Sequence, residues 1–238
     1  MTQSDDDMPR LRYTLQQALV RSQQPEVLAP DEHAINLFLA HCHRRKYTKK
    51  SVIMRPGDPA TTLFYVISGS VAILSEDENG RELILTYVNR GEFIGEMGLF
   101  VESPHRDVTM RTRNSCELAE ITYERLFQLF ETSLKDVCAK ILFAIGQQLS
   151  NRLLQSNRKV SRLAFMDVSN RVARTLVDLC TEPDAMSHPD GTQIRISRQE
   201  ISRIVGCSRE MVGQVLKELA AENLIQVSGK TIVVLGTR

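Results

Sequence analysis

The sequence predicts an α+β protein in three parts: a β-rich domain, one long helix, and a helix-turn-helix with a hairpin wing. Three observations carry that prediction. Short β-forming runs alternate with turn residues between about Lys46 and Tyr123. A 3–4 apolar spacing then runs from about Asp136 to Arg162 without a proline. The stretch from Ser197 to Leu219 finally reads as two short helices around a glycine turn. The expected boundaries are a polar extension over 1–30, the β domain over 31–135, the long helix over 136–163 and the last domain over 164–238.

The chain has 238 residues, 42% of them hydrophobic, which is enough for two domains with real cores. Its formal net charge is only +1, but a nucleic-acid face needs local clustering of cations and not a basic whole. Five scattered cysteines (Cys42, Cys116, Cys138, Cys180 and Cys207) include no Cys-x-x-Cys pair. The expectation is therefore reduced thiols, no metal and a cytoplasmic protein. The polar opening from Met1 to Asp7 is not a signal peptide, and no run is long enough to span a membrane.

In order, residues 1–30 suggest only a helical patch around Tyr13–Val20, and Ala34, Ile35, Leu37, Phe38 and Leu39 suggest a short amphipathic helix. The expected strands are Ser51–Met54, Leu63–Ser68, Val71–Leu74, Leu83–Val88 and Cys116–Ile121, forming a barrel or a sandwich. Asn79-Gly80 is expected to be a type I′ turn, with positive φ at both residues. From Gly91 to Phe100, glycines surround a short helical turn, and a polar loop then leads to Arg106. Such a turn can offer backbone N–H groups to a phosphate.

Along the long helix, Leu142, Ile145, Leu149, Arg152, Ser156 and Leu163 follow one seam, with Leu153 and Val160 beside it. A seam of this kind pairs with another helix, most simply its mate in a homodimer through Leu142, Ile145, Leu149 and Leu153. It turns polar at Arg152, Ser156 and Asn157, which reads either as a fraying coil end or as a place for a polar ligand. A hinge is expected at Ala164–Val168, followed by a helix over Asn170–Cys180.

Ser197 with Glu200 forms a capping box, Gly206 permits the sharp turn, and Ser208 caps the second helix. Val212, Val215, Leu216 and Leu219 point inward from that helix, while Arg209, Glu210, Gly213, Gln214 and Lys217 form its outer face. An ordinary αα-hairpin would share these caps. The clustering of Arg195, Arg198, Arg203 and Arg209, and a wing turning at Ser228-Gly229 beside Lys230, favour double-stranded DNA instead.

The strings His41 to Tyr47, Gly91–Phe100, Arg162–Val168, Asp184–Gly191, Gly206–Glu210 and Gly236–Arg238 resemble the CRP/FNR superfamily, most of all its pseudomonad and xanthomonad regulators. The resemblance implies a jelly-roll effector domain, a dimerisation helix and a winged helix-turn-helix. It places Glu96 at a nucleotide's ribose hydroxyl and Arg106 at its cyclic phosphate, with Gly95 and Met97 in the same ligand site and Arg152, Ser156 and Asn157 facing the ligand. Asp107 stands where receptors for cyclic AMP carry a small hydroxyl donor. The xanthomonad-type proteins also carry an acid there and are associated with cyclic di-GMP. The resemblance further implies Arg198 on phosphate, and Arg209, Glu210 and Gln214 on bases, with arginine usual at the last position. Ser187-His188, and separately His43, Arg45 and Arg125, resemble surfaces that face RNA polymerase.

The expectation is a homodimeric transcription regulator modulated by cyclic di-GMP, with cyclic AMP as the alternative effector. A redox or gas sensor on the same fold would have to use the His41-Cys42-His43 region. An enzyme is not expected, because no nucleophile–base pair or carboxylate pair stands out.

Overall fold

The computed structural model describes residues 29–237; the helical patch expected at Tyr13–Val20 lies outside the described residues. The chain divides into two compact units, whose described parts are residues 29–156 and 157–237.

In the first unit, helix α1 (Glu32–Leu39) starts where the Asp31 carboxylate accepts the Ala34 N–H at 2.9 Å. Eight strands follow: β1 (His43–Tyr47), β2 (Val52–Met54), β3 (Thr62–Ser68), β4 (Ser70–Glu76), β5 (Glu82–Asn89), β6 (Phe93–Ile94), β7 (Thr109–Thr112) and β8 (Cys116–Thr122). They form two antiparallel sheets, ordered β1-β8-β3-β6 and β2-β7-β4-β5. This is the jelly-roll arrangement that the resemblance implied.

Strand β3 shows why the sheets stack. Phe64 and Val66 point into the core between the sheets with Val71, Val88, Met110 and Leu118. The alternate residues Leu63 and Tyr65 point to the opposite face, which helices cover. The cover consists of α1, α2 (Tyr123–Glu131) and the start of α3 (Cys138–Phe165), through Phe38, Leu126, Ile141 and Ile145. A strand buried on both faces loses the apolar–polar alternation of a half-exposed one.

Several expectations need correction. Strands β1, β6 and β7 were not foreseen. Asn79-Gly80 is not a type I′ turn, because Gly80 has φ 74° while Asn79 is not in the left-handed region. The Asp77 carboxylate accepts the backbone N–H groups of Asn79 and Arg81, both at 2.9 Å, and so builds a longer loop. The long helix follows a 3₁₀ turn at Lys135–Val137 and continues to Phe165, past the expected end and into the expected hinge. Ile145 is fully buried in its own domain's core, so it cannot meet a partner helix, and Leu149 packs partly against the same core.

The second unit contains α4 (Val168–Leu179), β9 (Met186–His188), β10 (Gly191–Arg195), α5 (Arg198–Val205), α6 (Arg209–Ala221), β11 (Ile225–Ser228) and β12 (Thr231–Leu235). The sheet order is β11-β12-β10-β9, and β9 and β10 were also not foreseen. Ser197 Oγ accepts the Glu200 N–H at 3.1 Å, Gly206 ends α5 at φ 71°, and Ser208 Oγ accepts the Met211 N–H at 3.2 Å. Val172, Leu176, Ile201, Val205, Val212 and Leu216 fill the core beneath.

Candidate functional site

Strand β6 ends at Gly95, whose φ of 86° turns the chain into a 3₁₀ turn over Glu96–Leu99. A β-carbon at Gly95 would lie 2.7 Å from the Thr62 carbonyl oxygen and 3.0 Å from an Arg106 guanidinium nitrogen, so only glycine fits. The turn carries Glu96 inward, where it is 4% exposed. Its carboxylate meets Arg152 of α3 at 2.5 Å, and the same guanidinium donates to the Phe93 carbonyl at 2.8 Å. A carboxylate this buried needs such a partner.

Arg106 is held by the protein as well. One terminal nitrogen donates to the Thr62 carbonyl at 2.5 Å and the other to the Tyr123 hydroxyl at 3.1 Å. That hydroxyl donates to the Gly95 carbonyl at 2.6 Å. Burial pushes the Tyr123 phenol up, only partly offset by the Arg106 charge, so the proton needed for this bond stays in place at neutral pH. Arg106, Gly95 and Tyr123 thus form one hydrogen-bonded group, with Glu96 and Arg152 joined beside it.

Of the predicted ligand residues, Gly95, Glu96, Arg106 and Arg152 are brought together. Met97 is 63% exposed, and Asp107, Ser156 and Asn157 are exposed and do not join the group. Asn157 already belongs to the second unit. Tyr123, Thr62 and Gln148 were missed. Only Gln148 carried a signal, since it lies one helical turn before Arg152 on the same face of α3.

In the second unit, Arg209, Glu210 and Gln214 are exposed along one side of α6, and Ser208 is spent on its cap. Gln214 Nε2 donates to Glu218 at 3.1 Å. Arg198 reaches from α5 across Gly213, where a β-carbon would touch its guanidinium at 3.5 Å. Gly213 is thus the gap over which Arg198 lies. Lys230 is exposed at the wing turn, next to Gly229 at φ 62°.

The sulfur chemistry is quiet. Burial pushes the Cys42 thiol up to about 12, and its Sγ donates to the Phe38 carbonyl at 3.3 Å. No group of three metal-ligating side chains occurs among the described residues. No helix among them is long and apolar enough to cross a membrane.

Residues 44–133 match the cyclic nucleotide-binding domain family, and residues 170–237 match the Crp-like helix-turn-helix domain family. The CRP-like protein Clp of Xanthomonas oryzae pv. oryzae is 60% identical over 97% of this chain and 100% of its own length. The chain belongs to the CRP/FNR superfamily of transcription regulators. Within it, the solved structure of the c-di-GMP responsive global regulator CLP of Xanthomonas campestris is 61% identical. It superposes with a TM-score of 0.82 over 87% of this chain and 100% of that one. A CRP/FNR regulator from Thermus thermophilus is 26% identical, with a TM-score of 0.67 over 82% of this chain and 94% of that one. The superfamily accounts for both domains: a cyclic nucleotide-binding domain over residues 44–133, and a Crp-like helix-turn-helix that includes α5 and α6.

Proposed function

We propose that this regulator works as a homodimer whose promoter binding is modulated by cyclic di-GMP. The observation that carries the effector is the 61% identity, over the whole of that chain, to a regulator described as c-di-GMP responsive. Asp107 supports the choice. It is exposed beside Arg106 and would set a carboxylate against a cyclic AMP phosphate, whereas guanine N–H groups could donate to it. Glu96, Arg106 and Arg152 are the ligand's charged partners, and it has to compete with the bonds they already make. Met97 and Ser156 are the exposed positions of the same unit that would complete its surroundings.

Dimerisation would use the outward side of α3. Leu142 is half-buried, Leu153 is 63% and Val160 64% exposed, and a β-carbon at Gly146 would meet nothing within 4 Å. A second copy laid along this stripe would bury it. On DNA, Arg198 would hold a phosphate, Arg209 would read guanine, and Glu210 would accept from a cytosine amino group. Lys230 would reach the backbone from the wing. RNA polymerase would be met by Ser187 and His188 and, on the first unit, by His43, Arg45 and Arg125. The cytoplasm follows from such a role.

Isothermal calorimetry with cyclic di-GMP and cyclic AMP side by side tests the effector. Binding of cyclic di-GMP well ahead of cyclic AMP is expected, with Asp107→Ser narrowing the gap. Micromolar or tighter binding of cyclic AMP alone would replace this reading with that of a cyclic AMP-activated regulator.

A further inference from the structure

Strand β6 is the edge of its sheet, and it is only two residues long. Its neighbour β3 pairs Tyr65 with Phe93 and Phe64 with Ile94. The hydrogen bond from Val66 N–H goes to Glu92, one residue before the strand. In an antiparallel pair the bonding groups of successive residues alternate in direction, so the N–H and C=O of Phe93 point away from β3. They face α3, where Gln148 meets both. The Gln148 Oε1 accepts the Phe93 N–H at 2.7 Å, and Gln148 Nε2 donates to the Phe93 carbonyl at 2.7 Å. One amide thus makes the two bonds that a further strand would have made. One turn along α3, Arg152 adds a third bond to Phe93 and reaches Glu96.

We infer that Gln148 is a positioning residue for the nucleotide site: it closes the open edge of β6 and fastens the Phe93–Glu96 segment to α3. This rests on the reading of Glu96 as a ligand group. Phe93 is 1% exposed, so leaving its N–H and C=O unpaired is costly, and an amide is the one side-chain group that both accepts and donates in this geometry. Glu96 lies three residues beyond Phe93, so the clamp sets where its carboxylate stands. Arg152 alone cannot replace it, because a guanidinium has no acceptor for the Phe93 N–H.

The test is a graded series read in two ways on the full-length protein. Gln148→Glu keeps the acceptor and loses the donor; Gln148→Met loses both. Amide hydrogen exchange at Phe93 and Ile94 should accelerate from wild type to Gln148→Glu to Gln148→Met. Cyclic di-GMP affinity, measured well below each variant's melting temperature, should fall in the same order, roughly tenfold for Gln148→Met. A purely structural role would lower the melting temperature and leave affinity unchanged among folded variants, which would overturn the inference. Unchanged exchange at Phe93 would overturn it as well. A wild-type protein that binds neither nucleotide would sink the effector reading instead, and the exchange series would still decide the clamp.

Discussion

The ligand-binding region and the DNA-reading region treat their charged side chains in opposite ways. Around Gly95, the groups expected to hold a nucleotide are already bonded inside the protein: Glu96 to Arg152, and Arg106 to Thr62 and Tyr123. On α6, Arg209, Glu210 and Gln214 stand in solvent on a helix whose start is fixed by Ser208. On the proposed reading, the first region would exchange internal bonds for ligand bonds, so its affinity would be a difference between two sets of interactions. The second is closer to ready: apart from the Gln214–Glu218 hydrogen bond, its exposed face loses mainly hydration and side-chain freedom on binding. A mutation should therefore cost mostly folding stability in the first region, and mostly binding in the second.

The largest effect expected from this contrast is at Arg152. Arg152→Met leaves the buried Glu96 carboxylate without its partner and should destabilise the effector domain by about 3 kcal/mol. Chemical denaturation measures it, and adding Glu96→Gln should recover most of the loss. An effect below about 0.5 kcal/mol would mean that the pair is solvent-screened like a surface bridge.

Arg209→Ala should do the reverse. Operator affinity should fall by about 2 kcal/mol through loss of a bidentate guanine contact, with the melting temperature within about a degree of wild type. A band-shift titration and a thermal melt together check it.

Gln214 should have a smaller effect, one of specificity. Glutamine suits adenine N6 and N7 and carries no charge, whereas arginine would suit guanine. Gln214→Arg should shift the preference at one base pair of each half-site by about 1 kcal/mol and steepen the salt dependence. Site selection from random DNA with both proteins reads this out. Identical preferences would mean that Gln214, held to Glu218, does not reach a base.

The smallest effect concerns one thiol from each compact unit. Burial pushes both Cys42 and Cys180 up to about 12 from an ordinary 9.0. Both should react slowly with iodoacetamide at pH 8 in the native state and quickly once unfolded. Because the folded value is the higher one, each thiol's stabilising contribution is full below about pH 9 and is lost as pH rises towards 12. Fast native labelling of one thiol would show that its region opens locally.

The same contrast explains what could be read from the sequence. The helix-turn-helix was legible because its signals are local: Ser197 with Glu200, then Gly206, then Ser208, each acting within a few residues. The ligand region is built from distant pieces. Tyr123 acts on Gly95 across 28 positions and Gln148 on Phe93 across 55; Tyr123 leaves no mark at short range, and Gln148 only its place one helical turn before Arg152. Spacing marked Arg152 only as a polar break in the seam, and the nucleotide roles of Glu96, Arg106 and Arg152 came from family resemblance. Strands β6 and β9 have two and three residues, too short for a period to show. Ile145 misled because a 3–4 spacing describes an apolar stripe without saying whether it faces the helix's own domain or a partner.

Operator affinity with and without nucleotide tests the central claim most directly. Fluorescence anisotropy of a labelled duplex bearing the two half-sites recovered by site selection, set about one helical turn apart, would be followed at fixed salt. The ligand-free protein is expected to bind it far more tightly than a scrambled duplex. Cyclic di-GMP should then change that affinity by about tenfold or more, within the usual range of allosteric coupling, while cyclic AMP at the same concentration should not. Operator binding that neither nucleotide alters would contradict the account.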